Sequence, residues 1–156
     1  MPWVPPSARP QKPGVQPMLE PTLAFQDATA AALVASPEVL ALVPVAHIRA
    51  GSTRPDKTPC IILAGAQTEY LGRAPVSQHV ARVFLDLHIW AIEDGAETAK
   101  AIGMAVLQAL IDAPAGIGFA VDEYAKPRTI WMRDPQPDLA YTHGVMTLEA
   151  VIRWGF

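Results

Sequence analysis

Asp86 and His88 stand two apart in "FLDLHIWA", with Trp90 one step further on. The strict apolar alternation of this stretch predicts a β-strand, and side chains two apart on a strand leave from the same face. A carboxylate and an imidazole side by side are half of an acid–base couple or half of a metal site. Spacing does not supply the other half. No HxH, HExxH or CxxC pattern lies nearby, and His47, His79 and His143 fall in predicted loops or strand ends. Two readings stay open for this face. It is a small metal-dependent enzyme or binding module built on Asp86, His88 and His143, or it is an amphipathic packing face whose polar groups pair across strands with Arg82 or Arg153.

The other reactive residue types are sparse. Cys60 is the single cysteine and opens the apolar run "CIILAG", where a small buried hydrophobe is a simpler role than a nucleophile. One cysteine excludes an internal disulfide framework and a cysteine-based zinc cluster, and points to a reducing compartment. No nucleophile elbow, Walker loop, dinucleotide fingerprint or EF-hand pattern is present. "AGIG" lacks the lysine and the strand–loop–helix order of a phosphate cradle. The tryptophans and tyrosines are not interleaved with basic residues, as a stacking surface for nucleic acid requires.

The elements that must hold these residues are legible in part. Pro21 suits the first turn of a helix running through "LAFQDATAAALVAS", and Ser36-Pro37-Glu38 repeats that start for a short second helix to about Leu42. "STRPDKTP" reads as a loop, "CIILAG" as a short buried strand ended by Gly65, and residues 65 to 78 as an exposed loop or irregular hairpin. The strand over Arg82–Ala91 sends Val83, Leu85, Leu87 and Ile89 one way and Arg82, Phe84, Asp86, His88 and Trp90 the other. Asp94 and Glu97 form a capping-box pattern that starts a helix near Gly95 or Ala96. From Ala101 to Ile111 its one polar side chain is Gln108, so it needs cover on both sides, from the first helix or from a second subunit. "FAVDEY", "RTIWMRD" and "VMTLEAVIRW" read as further strands, with a loop over residues 134 to 143. The fold class is α+β: a mainly antiparallel sheet of four to five strands with two to three helices packed on it.

Residues 1–17 hold six prolines and form an arm that does not fold alone, either a flexible tail or a segment ordered by a neighbour through Trp3 and Val4; residues 18–156 form one α+β domain. Arg9 and Lys12 put two of the cations in that arm, so the acidic excess behind the net charge of −3 lies in the body. A body so charged is not built to grip a phosphate backbone. The start carries no apolar run of signal-peptide length and no segment reaches membrane-spanning length, so the expectation is a cytosolic protein or one assembled there, with no membrane partner.

In order, "TPCIILAG", "SQHVARVFLDLHIWA", "GAETAKAIGMAVLQALI" and "IWMRDPQPDLAYTHGVMTLEAVI" make a run that resembles the small tail-completion proteins of long-tailed bacteriophages and phage-like gene transfer particles. The resemblance covers about residues 20 to 152. Its most specific marks are His79 leading into the strand that ends "HIWA", the helix that follows, and "MRDP…THGVM". It implies a tail terminator, a structural subunit forming a ring, of six copies in that family, on the last ring of the tail tube. Implied partners are copies of itself, the tail tube protein and a head–tail connector, with DNA passing through the channel without sequence-specific binding. The stopper beneath the portal is the alternative position. The implied location is the tail or neck of a virion, with assembly in the host cytoplasm. No catalytic residue, cofactor or metal comes with the resemblance. Trp3, Arg73, His79, Asp86, His88, Trp90, Asp138 and His143 are therefore candidate interface residues, and the loops over 65–78 and 134–143 are expected to face axial partners.

Overall fold

The computed structural model describes residues 20–75, 78–93, 96–135 and 139–155. The proline-rich arm with Trp3, and Asp94 and Asp138, lie outside them. Helix α1 (Pro21–Val34) begins where expected, with the Glu20 carboxylate accepting from the amides of Thr22 and Leu23 at 3.0 and 3.1 Å. Its second oxygen accepts from Thr68 Oγ1 at 2.7 Å, tying the helix start to the sheet. Burial by itself would raise the Glu20 carboxyl pKa, but the hydrogen bonds from Thr22, Thr68 and Leu23 outweigh it and hold the group below its ordinary value. Ser36 caps the short α2 (Pro37–Leu40) through the Val39 amide.

One sheet carries the rest. Its strands are β1 (Ile48–Ala50), β2 (Cys60–Ala74), β3 (Gln78–Ile92), β4 (Ala120–Tyr124), β5 (Arg128–Pro135) and β6 (Ala140–Trp154), and α3 (Glu97–Ala109) lies between β3 and β4 in the chain. The order is β1-β2-β3-β6-β4, with β5 also on β6; β1 pairs parallel to β2, and every other pairing is antiparallel. The expected architecture is present, with six strands where four to five were expected.

Three expectations about local structure are corrected. Gly65 does not end a strand. Its φ of +65° accommodates the irregularity between Ala64 and Gln67, and β2 continues to Ala74, so residues 65–78 take the second of the two forms expected, an exposed and irregular hairpin between β2 and β3. A side chain at Gly65 would also strike Asp86, its Cβ lying 2.6 Å from Oδ2. The expected loop over 134–143 is largely strand too, since β5 runs to Pro135 and β6 begins at Ala140. Finally, α3 is capped by Glu93, which accepts from the amides of Thr98 and Ala99 at 2.9 Å each; the Ala96 N-cap has no side chain able to do this.

The helices cover one sheet face. Val83, Leu85, Leu87 and Ile89 of β3, with Met146, Leu148, Ala150 and Ile152 of β6, are almost fully buried there against Phe25, Leu33, Ile102, Val106 and Leu110. Each such large side chain contributes about 1.5–3 kcal/mol relative to exposure. Trp131 of β5 extends this core. Its indole lies between Gly144 of β6 and Gly103 of α3, and a Cβ built on Gly103 would sit 2.8 Å from the ring. Two glycines thus admit the ring that fastens β5 to the helix. The outer side of α3 is not covered by α1: Met104 is 56 % exposed, and Ile111, just past the helix end, 65 %. No helix among the described residues is long and apolar enough to cross a membrane.

Candidate functional site

The opposite sheet face carries the residues whose chemistry was in question, and no helix among the described residues lies over it. Pairing between β3 and β6 sets Asp86 beside Thr147, His88 beside Val145 and Trp90 beside His143; β5 continues these rows with Arg128, Ile130 and Met132. His143 belongs to β6, four residues into a fifteen-residue strand, rather than to a loop. That placement brings together four of the expected site residues, Asp86, His88, Trp90 and His143.

Four rings form one continuous run across the strands. Tyr141 meets Trp90 edge-on at 5.8 Å, Trp90 stacks on His143 at 3.7 Å with 8° between planes, and His143 stacks on His88 at 5.1 Å. The two imidazoles are also joined by a 2.9 Å contact between His88 Nδ1 and His143 Nε2, so one ring donates its proton to the other. Lying flat, these rings and their neighbours cover the sheet beneath them. Trp90, Cys60 and Ile62 are 6 % exposed or less although no helix among the described residues packs on them. Trp90 Nε1 is buried with no hydrogen-bond partner among the described residues, a donor whose isolation costs about 1–3 kcal/mol.

The electrostatics of this face favour neutral histidines. Burial lowers the His88 pKa, and Asp86 opposes that shift. Burial and then the neighbouring His88 push His143 down to about 4, against the pull of Asp134. Asp86 does not orient either imidazole; it accepts from Thr147 Oγ1 at 2.8 Å. The expected pairing of this acid with Arg82 or Arg153 is also not made. Arg82 pairs with Glu149 at 3.2 Å, without hydrogen-bond geometry, and with Glu69 at 3.7 Å, while Arg153 pairs with Asp122. An imidazole able to act as a general base needs a carboxylate behind it and a nucleophile or water before it. Here each histidine is turned toward the other, and the hydroxyl nearby is spent on Asp86. Among the described residues no three His, Cys, Asp or Glu side chains are placed to hold a metal ion. Burial raises the Cys60 thiol to about 11, away from the thiolate chemistry of a reactive cysteine. The arrangement suits contact better than turnover.

The other expected site residues lie elsewhere. His79 stacks on Trp154 near the start of β3, and exposed Arg73 faces it across the β2–β3 hairpin. Trp3 and Asp138 lie outside the described residues. Missed in the sequence were Tyr141, Thr147, Ile130 and Met132, all on the open face. The signal was available for two of them. The two-residue alternation of "VMTLEAVIRW" runs back through His143 to Tyr141 once Gly144 is read as room for Trp131 rather than as a loop residue.

A family model described as tail completion protein gp17 matches residues 27–153. No curated protein matches the chain significantly in sequence. Among solved structures, a chain from the virion of a native gene transfer agent particle is similar in fold, with a TM-score of 0.58 and 19% identity over 82% of this chain and 95% of that one. The gp17 protein of bacteriophage SPP1 aligns over 87% of this chain and 91% of its own, with a TM-score of 0.48 and 18% identity.

Proposed function

This chain belongs to the tail completion protein gp17 family, and from that premise we propose that it is a structural virion protein, a terminator ring subunit that caps the tail tube and joins the tail to the head. The observation that carries the reading is the uncovered face of the sheet. Fifteen-residue strands β3 and β6 are covered by helices on one side and by their own flat rings on the other. Ile130 and Met132 stand 53 and 41 % exposed beside those rings. An apolar face of this kind marks a place where another protein sits. Ring subunits need two unlike lateral surfaces, and heterologous contacts close when the rotation permits. The partners in this reading are copies of the chain, of six in a ring, the tail tube protein below and a head–tail connector above. The acidic excess of the body suits a channel that DNA crosses without being held.

Particles produced without this chain test the reading. The expected products are filled heads and separate tails of irregular length, with joining restored when the purified chain is added. Joined particles of normal tail length in its absence overturn the structural role. Imaging of labelled chain places it at the head-proximal end of the tail; a position directly beneath the portal, on heads that lack tails, makes it the stopper and overturns the terminator assignment.

A further inference from the structure

The two sides of the sheet are finished differently. β6 is lined along its outer side by β5 as far as Thr147 and by β4 from Ala150. β2 is lined by β1 at Ile61, Ile62 and Leu63, with the Gly51 amide donating to the Leu63 carbonyl at the end of that contact. β2 then runs on to Ala74, and among the described residues no strand pairs with its outer side beyond Leu63. An edge left in this state presents alternate backbone N–H and C=O groups, a template for another extended segment. From Thr68 to Ala74 it carries one bulge, at Leu71, and neither lysine nor proline, residues that commonly guard an open edge. It carries apolar surface instead: Tyr70 is 67 % and Leu71 43 % exposed.

One segment of the chain is delivered to this edge. Residues 1–19 lie outside the described residues and join the fold at Glu20. The Glu20 carboxylate accepts from the Thr68 hydroxyl at 2.7 Å, so that junction is beside β2, where the unpaired stretch begins. Toward Cys60 the edge is soon closed by β1; toward Ala74 it is open for seven residues, about 20 Å of strand. Pro13 to Leu19 is also seven residues. Its prolines fit a single register. A strand added to an edge bonds through alternate residues, and proline is tolerated where its missing N–H would face away. Pro13 and Pro17 stand four apart and share the outward set with Val15 and Leu19, which leaves the amides of Gly14, Gln16 and Met18 for β2. Pro10 belongs to the opposite set and bounds the segment. With both prolines outward, the far side cannot pair further.

We propose that residues 13–19 add to the outer edge of β2, antiparallel to Thr68–Ala74 of the same copy, through the backbone of Gly14, Gln16 and Met18. The direct connection at Glu20 makes the chain's own edge the one reached at the smallest closure cost. The arm thereby guards that edge: copies are kept from adding to one another through β2, and contact between them is left to other surfaces. This contact stands apart from the ring reading and survives its failure.

Hydrogen exchange of the full chain, read on peptides covering residues 67–75, tests it. In the wild-type chain these amides should exchange about tenfold more slowly than in Gln16→Pro/Met18→Pro, which removes two of the three bonding amides. Val15→Pro changes the outward set and should exchange as wild type does, and circular dichroism should show all three chains folded. Wild type and Q16P/M18P exchanging alike, or V15P losing protection as fully as Q16P/M18P, overturns the contact. Protection that fades on dilution over about a hundredfold range gives the edge to another copy and overturns the same-copy assignment.

Discussion

On the helix-covered side of β3, Val83, Leu85, Leu87 and Ile89 are at most 1 % exposed and meet an apolar layer made by the same chain. On the other side of that strand, Arg82, Phe84, Asp86 and His88 are half-buried, and Trp90 is buried with Tyr141 and His143 lying against it. Alternate residues of one strand thus write two surfaces, one covered by the helices of the subunit and one that, in the proposed reading, a neighbouring protein completes. The covered face is where mutations act on stability. In the proposed reading the open face is where they act on assembly, and its neutral histidines also tie that face to stability through pH.

The comparison breaks most sharply at the covered face. Leu85→Ala, fully inside the core, is expected to cost about 2–5 kcal/mol in urea unfolding; a loss under 1 kcal/mol would mean that the helical layer packs loosely. Next in size is Gly144→Ala, which drives a methyl group into the Trp131 indole and is expected to cost about 1–3 kcal/mol. Combined with Trp131→Ala, the same change should cost less than the sum of the two, because the ring it strikes is gone. Simple additivity would show that Gly144 is needed for some other reason.

The open face should respond to pH while the covered face does not. His143 and His88 titrate below the ordinary histidine value of 6.5, His143 near 4, so between those limits the unfolded chain binds more protons than the folded one. Stability is therefore full above about pH 6.5 and declines as pH falls toward 4. A thermal melt series should show that slope, and His143→Phe, which keeps a ring against Trp90 and removes one titrating group, should flatten it. A melting temperature that holds steady over this range would mean the imidazoles are not buried as neutral groups.

How much of this was legible in sequence follows from the period of each pattern. Val83 to Ile89 alternate without interruption, so the central strand and the sidedness of Asp86, His88 and Trp90 could be read directly. Pro21 and Ser36-Pro37 located two helix starts for the same local reason. The illegible parts depend on contacts distant in sequence. Gly65 looks like a strand end until Asp86 is seen beside it, and Gly144 looks like a loop until Trp131 fills its space. A strand that starts at Val145 leaves His143 and Tyr141 in a loop and hides the run of rings on the open face, whereas β6 begins at Ala140. The spacing of Asp94 and Glu97 points to a capping box; among the described residues it is Glu93 that reaches the helix amides, and Asp94 lies outside them.

Hydroxyl-radical footprinting of the methionines tests the central claim most directly, since three of them report three surfaces at once. Met132 on the open face and Met104 on the outer side of α3 are 41 and 56 % exposed in the single subunit, and Met146 in the core is 2 % exposed. Comparing the isolated chain with the chain assembled on tail tubes, oxidation of Met132 and Met104 should fall several-fold together while Met146 stays low throughout. Assembled particles in which Met132 and Met104 oxidise as fast as in the free chain would contradict the account, because the open face would then be open in the virion as well.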